Sequence, residues 1–347
     1  MKRLLAISAT IMLAGSLTLL AVQSVPGGVS ASGKAPSASA VAQARANFIK
    51  VKSAHAPEVG RGGWVSPGGM HRTAPSAANG SVTGSQSINW SGYADAETGS
   101  STVSQASGSW TMPAVQCLPA PYQNQDAFLA NWVGIDGFNN GTVEQLGTAA
   151  QCFAGVKYYY VWYEMYPSNT VEEGTTACIN DNVNCPQPGD QISASVTVTP
   201  AGSGENSYKL TLVDRTRPYE SFSVTQQCAA ATCLDASAEW IVERPATVPP
   251  PPAPSTLIQI LPLAYFAKTF FSSGSVVSGG KLSSIQGFSD GTVNDISMID
   301  DTATYYLACV GQPSPPGTLL LLTQANACPT VAPFPGGAFE ESWDSSF

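Results

Sequence analysis

The sequence predicts an all-β protein, a sandwich or barrel of many short strands, and three observations predict it. From about Ile88 onward, runs rich in Val, Thr, Tyr and Trp alternate with clusters of Gly, Pro, Asn and Asp, the texture of strands joined by turns. No segment keeps a long 3.6-residue apolar period, so helices should not build the core. Several runs also alternate with period two, one side apolar and the other carrying Trp, Tyr, Asp, Glu or Gln, as in a sheet with one face in the core and one outside it.

Taken in order, the expected strands lie in "INWSGYADA", "STVSQASGSWTMP", "AFLANWVGIDG", "VKYYYVWYEMYP", "QISASVTVTPAG", "NSYKLTLVDRTRP", "ESFSVTQQ", "SAEWIVERP", "KTFFSSGSVV" and "ATYYLAC". "PATVPPPPAP" (Pro245–Pro254) reads as a stiff polyproline-like loop. Strand texture resumes after it, so the body is read as one domain. "SDGTVNDISMIDD" (Ser289–Asp301) carries four Asp without EF-hand spacing and reads as a polar loop rather than a calcium site.

The N-terminus has a different character. Lys2 and Arg3 precede an apolar run and then small residues, the pattern of a secretory signal peptide. "VSA" at Val29–Ala31 offers a cleavage site, and no later stretch is long and apolar enough to span a bilayer. An exported, secreted protein is expected. Its eight cysteines, all after residue 116, then read as disulfides. The short spacings point to Cys178–Cys185, Cys228–Cys233 and Cys309–Cys328. No CxxC pair or nearby histidine favours a metal, so no metal and no cofactor are expected.

Charge divides the chain. Residues 1–82 carry eight Lys or Arg against one acid, Glu58; residues 83–347 carry seven against 23 acids. The expected organisation is a signal peptide at 1–31, a basic propeptide at 32–83 and a β-sandwich domain at 84–347. The acidic body excludes nucleic acid as a natural partner.

Both histidines, His55 and His71, precede the body. His-based triads and His-ligated metals within it are therefore excluded, and there is no GxSxG. Carboxylates become the leading acid–base candidates, and these work best in acid. Strand parity gathers them. Glu239 shares a face with Ile241 and Glu243, opposite Ala238, Trp240 and Val242. Glu164 shares one with Trp162 and Tyr166, Trp132 with Asp136, and Gln145 with Gly147, opposite Glu144 and Leu146.

These motifs, "NWSGY", "WVGIDG", "EQLG", "WYEMYP" and "AEWIVE", stand in an order that resembles the glutamic peptidases, or eqolisins, over roughly Ile88 to Val310. The resemblance implies an antiparallel β-sandwich of two large sheets, concanavalin- or jelly-roll-like, with one sheet forming a concave cleft. It implies an acid endopeptidase made as a zymogen, with polypeptide substrates and its own propeptide as partners, monomeric and free of the membrane once the signal is removed. It places the catalytic pair on Glu239 and Gln145, and substrate contacts on Trp132, Asp136, Glu164 and Tyr166. The chain departs from the family pattern at Ala149, where an Asp is expected, and at Leu146, where Thr is common. Two other classes fit the same face: a glycoside hydrolase using Glu164 and Glu239, with Trp132 and Trp162 stacking sugars, and a non-catalytic carbohydrate-binding sandwich. Asn79, Asn89 and Asn140 sit in glycosylation sequons.

Overall fold

The computed structural model describes residues 82–117, 127–153, 155–166, 168, 170–173, 184–201, 205–228, 233–247, 259–300, 305–310, 320–321 and 336–343. The expected signal peptide and nearly all of the basic segment lie outside these residues. So do Cys178, Cys328 and the proline run after Thr247.

Among the described residues nineteen strands follow in chain order: β1 (Val82–Ser87), β2 (Trp90–Glu97), β3 (Val103–Thr111), β4 (Ala127–Ile135), β5 (Val143–Phe153), β6 (Val156–Tyr166), β7 (Val171–Glu173), β8 (Gln191–Thr199), β9 (Ser207–Asp214), β10 (Phe222–Gln227), β11 (Ser237–Glu243), β12 (Ala246–Thr247), β13 (Gln259–Ile260), β14 (Lys268–Ser278), β15 (Lys281–Ser284), β16 (Gly291–Ile299), β17 (Tyr305–Val310), β18 (Leu320–Leu321) and β19 (Phe339–Trp343). Among the described residues there is no α-helix, only 3-10 turns.

Two large sheets form a sandwich. The front sheet runs β1-β16-β2-β11-β4-β5-β6-β7, antiparallel except for the parallel β1–β16 pair. The back sheet runs β14-β3-β8-β9-β10, with β15 and β19 beside β14. Strand β17 pairs with both β16 and β19, so the two sheets are one ladder folded over itself. Strands β12 and β13 form a separate ribbon.

The stretch expected as a polar loop, Ser289–Asp301, is instead mostly β16, an interior strand of the front sheet. Its alternation, with Val293 on one side and Asn294 and Ile296 on the other, explains why: the aspartates that made it look like a loop fall at its ends, apart from the buried Asp295.

Parity sorts the front sheet's side chains into two sets. Val133, Ile135, Leu146, Tyr163, Trp240 and Val242 turn inward and pack with Leu210, Leu212, Val196 and Phe271 between the sheets. Trp90, Trp132, Tyr160, Trp162, Ile241 and Ile296 form a second apolar cluster on the opposite face. Burying each large side chain contributes about 1.5–3 kcal/mol. Two tryptophans bolt the layers in register by donating across the core. Trp240 Nε1 gives a 2.8 Å bond to the Ser107 carbonyl, and Trp110 Nε1 a 2.9 Å bond to Thr148 Oγ1. Their indole N–H groups are thereby satisfied without water.

Disulfides Cys117–Cys152 and Cys228–Cys233 are present. The second was expected; the first was not, since its partners are 35 residues apart in sequence. Cys185 and Cys309 are also disulfide-bonded.

Candidate active site

Register brings the predicted residues into one row. Glu239 on β11 lies opposite Gly134 on β4, Gly134 opposite Gln145 on β5, and Gln145 opposite Glu164 on β6. Directly opposed residues on antiparallel strands share a face. An acid, a gap, an amide and a second acid therefore stand side by side across four strands. On the other flank Glu239 faces Ala94, and Ala94 faces Asn294. The parallel row two residues on reads Ile241, Trp132, Gly147 and Trp162.

The gap at Gly134 is filled from the neighbouring row. A Cβ added there would lie 2.9 Å from Trp132 Cζ3 and 3.2 Å from Gln145 Cβ. The benzo edge of Trp132 thus leans into the space between Glu239 and Gln145. At Gly147 a Cβ would lie 2.1 Å from the Asn131 carbonyl oxygen and 2.7 Å from Trp132 Cβ, so β5 passes too close to the β4 backbone there for a side chain. Trp90 packs edge-on to Trp132 with centroids 4.9 Å apart.

Glu239, Gln145, Glu164, Trp132 and Trp162 have no solvent exposure, and Tyr166 is partly exposed beside them. The row is buried in this structure. Gln145 Nε2 donates to Glu164 Oε2 at 3.0 Å, which sets the plane of the amide. Neither oxygen of Glu239 has a hydrogen bond of regular geometry. Burial pushes its pKa well above the ordinary carboxylate range. Asp136 and Asp95 add to that, and the nearby Ser237 hydroxyl and Phe138 amide only partly oppose it. Burial thus favours the neutral acid over the carboxylate at Glu239.

Asp136 sits where β4 has just ended, with φ 68°. The left-handed turn takes its side chain out of the strand alternation. Its Oδ1 accepts from Ala236 N and Asn140 Nδ2, both at 2.7 Å, and its Oδ2 from Leu234 N and Asp235 N, both at 2.9 Å. Asp136 is brought not to the row but to the loop entering β11, which it ties to the end of β4. Sequence parity, extended one residue too far, had put it on the Trp132 face.

Glu144 is a buried acid that sequence reasoning left among the inward-facing residues without a role. It has no solvent exposure, and its Oε1 lies 2.9 Å from Cys233 Sγ, a disulfide sulfur with no proton to donate. Burial first, then the charges of Asp136 and Asp235, raise its pKa well above normal. Asp235 is itself held by Tyr208 at 2.7 Å and Asn206 at 2.8 Å. Glu144, Cys228 and Cys233 are close enough to suggest a metal site. With both sulfurs joined to each other, however, neither offers a thiolate. Leu146 lies in the core between the sheets, so its departure from the family pattern does not reach the row. Ala149 is on the row's face, between Ala130 and Tyr160. Asn89 is buried and its Nδ2 donates to Glu243, which removes it as a glycan acceptor in the folded chain.

The front sheet of the β-sandwich thus aligns a carboxylate, an amide and a second carboxylate in one row that contains no histidine or serine. The Peptidase A4 family model matches residues 88–311, and the chain belongs to that family, the glutamic peptidases or eqolisins. It is a peptidase of the glutamic type. No curated protein matches it. Among solved structures it is similar to scytalido-glutamic peptidase with a transition state analog inhibitor, at 20% identity and TM-score 0.49, covering 74% of this chain and 98% of that one. SCP-B, an eqolisin in complex with the tripeptide Ala-Ile-His, matches at 19% identity and TM-score 0.44, covering 74% and 98%. Aspergilloglutamic peptidase from Aspergillus niger matches at 22% identity and TM-score 0.39, covering 62% and 99%.

Proposed function

We propose that the protein is a secreted endopeptidase active in acid, in which Glu239 and Gln145 turn a water molecule against a peptide carbonyl. The observation that carries this reading is the in-register row of Glu239, Gly134, Gln145 and Glu164. Glu239, as the carboxylate, takes a proton from the water; the water oxygen attacks the carbonyl carbon; the proton then passes to the leaving amine. The Gln145 amide N–H group stabilises the oxyanion, and it does so at any working pH because an amide does not titrate. Trp132, Trp162 and Tyr166 give the apolar wall for substrate side chains. Asp136 contributes by holding the entry to β11.

The closed row bears on the zymogen reading. A buried, neutral Glu239 cannot act as a base. Opening the row to water removes the burial that raises its pKa and restores the carboxylate at mildly acidic pH. We propose that the basic segment 32–83 keeps the precursor latent and that export, through the signal at 1–31, precedes its removal. The mature domain works as a monomer on polypeptides.

The glycosidase alternative fits the row poorly. Glu239 and Glu164 are three strand spacings apart, roughly 14 Å between backbones, with Gln145 interposed and bonded to Glu164. Paired glycosidase carboxyls stand about 5–9.5 Å apart. The test is hydrolysis of a denatured protein and of a β-glucan at pH 2–5 by the secreted form and by Glu239→Gln. Protein cleavage lost in the variant supports the proposal. Cleavage that persists in Glu239→Gln, or of the glucan alone, sinks it.

A further inference from the structure

We infer that Glu243 is a positioning residue for the catalytic pair, acting through the Trp132 indole. The proposal rests on the assignment of Glu239 and Gln145 above.

Glu243 is the last residue of β11, on the same face as Glu239 and fully buried. It ends a strand whose other acid is the proposed base. Its Oε2 accepts the Trp132 indole N–H at 2.7 Å, and its Oε1 accepts from Asn89 Nδ2 at 3.2 Å. Asn89 is fixed in turn by Ser87, whose hydroxyl donates to Asn89 Oδ1 at 3.0 Å. The next residue, Arg244, ties the same corner by donating its backbone N–H to the Asn89 carbonyl at 3.0 Å. The indole is therefore gripped at its nitrogen, while its far edge, Cζ3, fills the Gly134 gap between Glu239 and Gln145. A planar ring held at one end transmits its position rigidly to the other. Rotating it out would widen or close the gap in which the attacking water and the carbonyl must meet. Displacements of about 1 Å among reacting groups cost on the order of 10²-fold in rate. The arrangement also gives a use to the "NWSGY" motif and to the second Glu of "AEWIVE", neither of which has a part in the proposed chemistry.

The test is a set of variants assayed on a peptide substrate in acid. Glu243→Leu removes the acceptor and should lower kcat roughly ten- to a hundredfold, with KM within about threefold. Glu243→Gln keeps an oxygen for the indole N–H and should retain kcat within about threefold. Trp132→Phe keeps a ring but removes the N–H, so adding Glu243→Leu to it should cost little more. Losses that multiply in the double variant, or a Glu243→Leu enzyme with wild-type kcat, would overturn the inference. The near-UV circular dichroism of the same proteins separates this from the function itself. Glu243→Leu should alter the tryptophan bands in the wild-type background and leave them unaltered in Trp132→Phe, whether or not the chain cleaves peptides. Unaltered bands in both backgrounds would refute the positioning role.

Discussion

Glu239 and Glu243 sit four residues apart on one strand and one face, both without solvent exposure, and are equipped in opposite ways. Glu243 receives an indole N–H and an amide N–H. Glu239 receives no regular hydrogen bond. Burial raises both pKa values, but donors hold Glu243 to about 8, whereas Glu239 lacks comparable support. A buried carboxyl with its partners supplied by the protein is a structural fixture. One left without them carries an unpaid desolvation cost that a water or substrate can relieve. In the proposed mechanism, the end of β11 anchored by Glu243 serves the end that reacts.

The largest effect should come from the reactive end. Glu239→Gln keeps shape and burial but removes the proton-accepting group, so kcat should fall about 10³-fold or more. Thermal stability in acid should stay level or rise, because an unsupported buried acid has been replaced by an amide. Gln145→Ala should cost about 10²–10³-fold through loss of an oxyanion donor. Active-site assays paired with thermal melts check both. A Glu239→Gln enzyme retaining a few per cent of kcat would erase the distinction between the two glutamates.

A smaller change tests the gap between Glu239 and Gln145. Gly134→Ala puts a methyl 2.9 Å from the Trp132 ring and 3.2 Å from Gln145 Cβ. Ring and amide must both give way, so kcat should fall about 10²-fold while the fold survives. Wild-type turnover in this variant would show that the spacing of the row is not tuned through Trp132.

Much of the row was legible in the sequence, because period-two alternation is a local property. It put Glu239, Glu164 with Tyr166, and Gln145 each on the less apolar face of its own strand. What alternation cannot give is register between strands, so the opposition of Glu239 to Gly134 and Gly134 to Gln145 appears only in the fold. Asp136 was misplaced because a positive φ ends the alternation one residue after Ile135. Alternation put Glu144 on the same face as Leu146, but nothing local shows that this face meets Asp136, Asp235 and the Cys228–Cys233 bridge. The Cys117–Cys152 bridge escaped because spacing favours short loops, whereas these cysteines are brought together when Cys152 at the end of β5 meets the chain entering from β3.

The pH dependence of stability sharpens the comparison further. Asp95, Glu144, Glu239 and Glu243 all have folded-state pKa values raised, with burial the first cause in each. A raised folded pKa means that the native state keeps a proton the unfolded chain has already lost. The stability linked to that proton is complete below the unfolded carboxyl value, near 4.3. It is lost as pH rises toward the folded value, about 8 for Glu243. The protein should melt highest in acid and progressively lower toward neutrality. Glu243→Gln should flatten that slope by on the order of 4 kcal/mol between those limits. Melting temperatures at pH 3, 5 and 7 decide it, and a Tm that climbs with pH would contradict the assigned burial of these acids.

The smallest expected effect concerns the two charge regions of the chain. After signal removal, residues 32–82 would keep six basic side chains, Lys34, Arg45, Lys50, Lys52, Arg61 and Arg72, against Glu58. The body carries 23 acids. At neutral pH the segment should be held to the body by attraction between exposed charges, which salt screens over about 10 Å at 0.1 M. Below about pH 4 the exposed carboxyls, with ordinary values of about 3.9 and 4.3, become neutral and the attraction fades. The buried acids should not follow this course, because burial favours their protonated forms. If the segment is held as proposed, one change of pH would release it without unfolding the domain. Mixing the isolated segment with mature domain at pH 7 and pH 3.5, each at low and high salt, should show affinity falling about tenfold with either acid or salt. Equal affinity in all four mixtures would show that charge does not hold the segment, leaving its basic residues to another role in folding or export.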